Sequence, residues 1–375
     1  MNTRLHRMAE VLVDYSLGVK EGELVVVAGP VAASVFALAL QERILAAGGH
    51  PAVRLQPDEL AESLLRAGSA EQLEWINPVR RRLLEQADCY VSLVAPSNTR
   101  ALTGIDPKAS AARRRAHRSI NELLEAREHR GQLRSVVSAV PTHALAQEAS
   151  MSLRDYSELV VQAGFLDADD PVAAWRDFGA RAASLVERLT GTSNVRIQAD
   201  RTDLSVGVAG RTWVAADGTQ NFPDGEVYTA PVEETIEGTI YFPHATIIEG
   251  RRVEGVELTF DAGTVVRGRA ERGQSDLDAL LETDEGARRA GELAFGLNER
   301  VQRFTGESLF DEKIAGTIHL ALGSAYPECG GSNRSALHWD LVCDLRSGGV
   351  VHVDGTEVQR DGRFVDGWFD SSGKT

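Results

Sequence analysis

Apolar and polar positions follow two different rhythms along this chain. In the first half, short apolar runs suited to buried strands occur at 24–28 (LVVVA), 52–55, 89–95 (CYVSLVA) and 135–140. Stretches rich in Ala, Arg, Leu and Glu, with apolar residues at helical spacing, separate them. Gly29-Pro30 breaks the first run, and the helical pattern over 32–47 stops at Gly48-Gly49. Strands that alternate with helices predict βαβ units and a mostly parallel sheet. From 153 to 189 the pattern is helical with one break at 166–171, where Pro171 suits a first helical turn. Gly191 is placed to end the second of these helices.

The second half reads differently. The pairs Asp217-Gly218, Asp224-Gly225, Asp354-Gly355 and Asp361-Gly362 sit among β-prone runs at 195–198, 204–208, 256–260 and 350–353. Such pairs mark tight turns because glycine accepts positive φ. One helix is expected among them, over about 284–298, where Ala287, Ala290, Gly291 and Ala294 line up as a small-residue surface bordered by Glu292. The fold class expected is an α/β N-terminal domain with a mostly parallel sheet (1–190), followed by an α+β C-terminal domain with a largely antiparallel sheet (191–375). A chain of 375 residues suits two domains.

Charge narrows the partners. A net charge of −15 disfavours nucleic acid and anionic membranes. The basic run Arg113-Arg114-Arg115-Ala116-His117-Arg118 lacks interleaved aromatics and reads as a solvated helix face. No apolar stretch of about 18 residues is present to span a membrane. The mixed-charge N-terminus has no apolar signal core, so a cytoplasmic location is expected. Cys89, Cys329 and Cys343, odd in number and without CxxC spacing, read as reduced thiols.

Candidate chemistry lies in the second half. His338 and Asp340 flank Trp339, and in a strand they share a face and can reach one cation. A surface strand explains an isolated pair of this kind more often. His319 sits in a glycine-bounded apolar run beside Thr317 and Ala321, whose small side chains leave room around an imidazole. Glu226 follows the Asp224-Gly225 turn. Most single glutamates simply face solvent. Taken together, three carboxylates and two imidazoles are what a pair of divalent ions needs. HExxH, GxSxG, Walker A and GxGxxG motifs are absent from the sequence. Asp311, Glu312 and Lys313 read as a salt-bridged turn, or as support for His319 with Lys313 a candidate electrophile. Glu233, Glu234 and Glu237 read as charged surface, with one of them a candidate for holding a substrate ammonium, and His244 as a loop residue.

The stretches NFPDGEVYTAP (221–231), TDEGARRAGELAFGLN (283–298), LFDEKIAGTIHLALGSAYPECGG (309–331) and SALHWDLVCDLR (335–346) resemble, in order, the motifs of the aminopeptidase T / aminopeptidase S family of metallopeptidases. MSLRDYSELV and LDADDPVAAW in the first half are similar to it too. The resemblance implies that Glu226, Glu292, His319, His338 and Asp340 bind two divalent ions (zinc, cobalt, manganese or magnesium). It also implies that Tyr326 is a catalytic tyrosine; for hydrolysis, Glu226 or Glu292 is the candidate to shuttle a proton from water to the leaving amine. It implies a homodimer that hydrolyses the N-terminal bond of short peptides bearing a free N-terminus, through a water activated by both ions. The segment between His319 and His338 is shorter than in some relatives, which bears on loop shape and substrate preference. Two rivals stand beside this reading. A mononuclear non-haem iron ring-opening dioxygenase would use His319, His338 and Asp340 alone. A non-catalytic metal- or peptide-binding protein would use the same cavity.

Overall fold

The four apolar runs of the first half become the strands of one parallel sheet. In the computed structural model, which describes residues 3–248, 251–365 and 367–369, Leu24–Pro30 pairs with His50–Gln56 on one side and Cys89–Val94 on the other. Arg134–Ala139 follows, and the two-residue strand Asn221–Phe222 closes the row, again in parallel. Val25, Val26 and Val27 are all buried, as expected of a strand covered on both faces. Ser34–Ala46 is the helix expected after the first strand, and it ends before Gly48 at φ +81°. Leu153–Ala163 starts at Ser152, whose hydroxyl accepts from the Asp155 amide. Pro171–Leu189 starts at Pro171. The basic run lies on Pro107–His129, with Arg115 and Arg118 exposed and Arg113 donating to the carbonyls of Leu73 and Trp75.

The chain forms two compact units. The first contains the residues up to Trp175 together with Gly218–Pro223, and the second contains Arg176–Asp217 and the residues from Asp224 onward. The changeover falls inside the Pro171–Leu189 helix.

Among the described residues, the second unit holds two antiparallel sheets, of nine and five strands. Two of the Asp-Gly pairs make hairpins in the nine-stranded sheet. Asp354-Gly355 joins Val350–Val353 to Thr356–Arg360, and Asp361-Gly362 joins the latter to Arg363–Phe364. Both residues of each pair have positive φ, between +49° and +81°, the requirement of a two-residue hairpin turn.

The five-stranded sheet carries the candidate chemistry. Its order is His338–Asp344, Thr317–Gly323, Ala290–Gly296, Glu226–Thr229 and Val214–Ala216. The helix expected over 284–298 is not there. Glu285–Arg288 is a short 3-10 turn, and Ala290–Gly296 is the central strand. All seven residues of that strand are buried. A segment buried on both faces loses polar alternation, so its periodicity does not separate strand from helix. The glycines had a different purpose from helix packing. A Cβ on Gly291 would lie 2.3 Å from the Ser324 carbonyl oxygen, and one on Gly296 would lie 2.1 Å from that of Ile314. Both positions admit a neighbouring backbone that any side chain would exclude.

The three cysteines are buried free thiols. Burial pushes Cys89 up to about 11 and Cys329 and Cys343 to about 12, so they remain protonated. No described helix is long and apolar enough to cross a membrane.

Candidate metal centre

Strand register brings the dispersed polar residues together. Tyr228 lies opposite Ala294, which lies opposite His319. Glu292 lies opposite Ala321, which in turn faces Asp340. Glu226 is paired with Gly296, and His338 with Gly323. Residues paired across a ladder share a face, as do residues two apart on a strand. Glu226, Glu292, His319, His338 and Asp340 therefore project from one face of the sheet. Each has an alanine or glycine as a cross-strand partner, so the long polar side chains can lean toward one another.

The distances follow from this register. Glu292 Oε1 is 3.3 Å from His319 Nε2, and Glu292 Oε2 is 3.4 Å from His338 Nε2. Glu226 Oε2 lies 3.5 Å from His319 Nε2, and Asp340 Oδ1 lies 3.4 Å from His338 Nε2. Glu292 thus spans the two imidazoles. His338 Nδ1 faces the Ser324 carbonyl oxygen at 3.0 Å. A proton on Nδ1 donated to that carbonyl leaves Nε2 as the free donor atom.

A second cluster adjoins the first. Lys313, fully buried, points Nζ at Glu226 Oε1 (2.5 Å), Glu312 Oε1 (2.7 Å) and Asp224 Oδ1 (3.3 Å). Asn298 ties together the two loops that supply these groups. Its side chain donates to the Asp224 carbonyl oxygen at 2.8 Å, and its amide donates to that of Lys313 at 2.8 Å. Asp311 braces the same turn by accepting from Thr305 and from the Gly306 amide. Glu312, expected as part of a salt-bridged turn, is also a donor. With His319 and Asp340 it forms one of three groups, among the described residues, whose donor atoms lie within 4.8 Å of one another. The other two groups are Glu226, Glu292 and His319, and Glu292, His338 and Asp340. The signal that could have found Glu312 is its position just ahead of the His319 strand, one residue from a lysine that needs buried acids.

So dense a set of charges perturbs every member. Burial disfavours a charged His319, but Glu226, Glu292 and Glu312 prevail and push it up to about 10. Burial pushes Glu226 up to about 7, a rise that Lys313 and His319 offset only in part. His338 and Glu292, and His338 and Asp340, stabilise each other as ion pairs. The carboxylates beside Tyr326, Glu292 foremost, together with burial, hold its hydroxyl well above the usual phenol range. Tyr326 is therefore a neutral donor. Its ring packs edge-on to His338 at 5.3 Å and lies 5.2 Å from that of Tyr228.

The donors suit a divalent cation. Oxygens and imidazole nitrogens match zinc, manganese, cobalt and magnesium to differing degrees. Glu226 Oε2 and Asp340 Oδ1 are buried without a hydrogen-bond partner and have an imidazole Nε2 as neighbour at 3.5 and 3.4 Å; a cation held between each oxygen and that nitrogen would satisfy both. The remaining candidates have other partners. Glu233 is held by Arg211 and by the Ser332 amide and hydroxyl. Glu237 accepts from the Ala262 amide at 2.8 Å. Glu234 is an exposed carboxylate 3.9 Å from Arg289. His244 stacks on Phe304 with ring centroids 3.5 Å apart.

Known proteins resemble this chain over nearly its whole length. The sequence model of the thermophilic metalloprotease (M29) family matches residues 1–364. Aminopeptidase T of Thermus thermophilus is 30% identical, over 96% of this chain and 98% of that protein. Aminopeptidase 2 of Geobacillus stearothermophilus is 32% identical, over 76% and 74%. The solved structure of wild-type AmpT from Thermus thermophilus matches with a TM-score of 0.81 at 28% identity, covering 96% of this chain and 99% of that one.

Proposed function

Because this chain belongs to the thermophilic metalloprotease (M29) family and is a metalloaminopeptidase, we propose that it removes the N-terminal residue of short peptides at a centre holding two divalent ions. The observation that carries the two-ion reading is charge. Asp224, Glu226 and Glu312 face the Lys313 ammonium, and Glu292 and Asp340 complete the acidic set. Without ions, protonated His319 and His338 answer part of that charge. As metal ligands both imidazoles must be neutral, so five carboxylates would then face one ammonium, and two divalent cations would cancel the four negative charges left.

Bound divalent ions supply a water of lowered pKa and polarise the scissile carbonyl. The protein's own groups do the rest. In this reading Glu226, Glu292, His319, His338 and Asp340 would hold the ions, with Glu292 shared between two of the donor groups and Glu312 a further donor. Tyr326 donates its phenolic proton in a hydrogen bond to the oxygen that gains charge during attack. Glu292 or Glu226 carries the proton from water to the leaving amine. Separate Glu→Gln exchanges at 226 and 292 assign that role. The same reading has the protein working as a homodimer in the cytoplasm. The ring-opening dioxygenase alternative draws no support from the family or from the relatives named above, and the added glutamates favour hydrolysis.

The test is metal analysis of the purified protein coupled to assays on unblocked and N-acetylated peptides. Two divalent ions per chain, oxygen-independent cleavage and a strict need for the free amine are expected. His338→Ala and Glu292→Ala should lose both activity and bound metal while remaining folded. Equal turnover of acetylated peptides, or full activity in either variant, would sink the reading.

A further inference from the structure

We propose that Lys313 is a built-in third cation that makes the two ion positions unequal, tight at Glu292, His338 and Asp340 and weak at Glu226, Glu292 and His319. This rests on the two-ion reading above. Lys313 is fully buried, and its ammonium lies 2.5 Å from Glu226 Oε1 and 2.7 Å from Glu312 Oε1. It therefore occupies one oxygen of each of these carboxylates before any metal arrives. Of the three donor groups in the cluster, one includes Glu226 and one includes Glu312. Only the group of Glu292, His338 and Asp340 has no member in contact with Lys313.

Two physical effects point the same way. A divalent ion beside Glu226 meets a fixed positive charge on the far oxygen of the same carboxylate, and the repulsion acts in a dry site where it is weakly screened. That carboxylate has also given part of its electron density to a charge-assisted hydrogen bond, which weakens it as a ligand. At the His338 position Lys313 touches no ligand and acts only at longer range, on Asp340. His338 is also preoriented by the Ser324 carbonyl oxygen, which favours binding there. Asp224 adjusts the balance. It lies 3.3 Å from Lys313 Nζ and shares the ammonium with Glu226 and Glu312. Lys313 is in this sense a positioning residue for the second ion.

The experiment is calorimetric titration of the chelator-stripped full-length protein with manganese(II) chloride, with bound metal counted after dialysis. Wild type should bind two ions in separated steps. Lys313→Met should tighten the second step by about tenfold or more, from the loss of a nearby charge, and leave the first nearly unchanged. Asp224→Asn removes a partner of Lys313 and no ligand. It should widen the gap between the steps, and this arm stands if Lys313→Met fails to fold. Two steps of equal affinity in wild type, or a gap that neither variant changes, would overturn the inference while leaving the two-ion reading intact. Failure to bind manganese at all would overturn both.

Discussion

Ala294 stands directly opposite His319 in the ladder between their strands, and both are fully buried. The imidazole leans toward Glu226 and Glu292 across the space that a larger residue would fill. Ala294→Leu should push His319 out of line and strain a packed cluster that includes Tyr228, Ala325 and Cys329. Overpacking of this kind costs about 1–3 kcal/mol. The expected result is a lower urea midpoint together with a loss of bound metal, whereas Ala294→Gly should retain the metal. A leucine variant with full metal content would show that the small residue has no bearing on the centre.

Tyr326 carries a proton that nearby carboxylates and burial prevent it from losing. If it donates to the developing oxyanion, Tyr326→Phe should lower kcat by about 10²–10³-fold. KM and metal content should change little, because the hydroxyl would act only as charge develops. An unchanged kcat would remove Tyr326 from the mechanism.

That the first sheet is parallel and the later ones antiparallel could be read from the alternation of apolar runs and helices and from the Asp-Gly turns. The His338-Trp339-Asp340 spacing announced two groups on one face. The Ala290–Gly296 strand misled because alanines and glycines suit helix packing as well as close strand approach. Only the neighbours, the carbonyls of Ser324 and Ile314, decide between the two, and they are distant in sequence or in a different loop. The role of Lys313 was hidden for a related reason. A lysine in a turn is ordinary, and its three acidic partners become visible only once Asn298 has joined the two loops. What the sequence could not show, in both cases, is which remote backbone comes near.

Asp344, at the far end of the His338 strand, ties it to the chain that follows. Burial opposes its charge, but Arg346 meets both carboxylate oxygens, at 2.8 and 2.7 Å, and His244 lies 3.5 Å away. Together they hold the carboxyl below its usual 3.8. A depressed native value means that the unfolded chain binds the proton more readily. The pair's stabilisation is therefore complete above the unfolded value and is lost as the pH falls through and below 3.8. Asp344→Asn should lower stability near neutrality and make the acid limb of a stability-versus-pH curve shallower. Parallel curves for wild type and variant would refute this.

Five donors hang from strands whose spacing is set by main-chain pairing, each beside an alanine or glycine. The connections between those strands carry a smaller and more local share of that geometric burden. In the stretch from the His319 strand to the His338 strand, Ser324 and Tyr326 reach the centre, whereas Pro327, Glu328, Gly330 and Arg334 are exposed. Natural variation in which peptides are accepted should accordingly gather at such exposed loop positions. A library that randomises those positions alone has reason to recover altered preferences on an undamaged hydrolytic core.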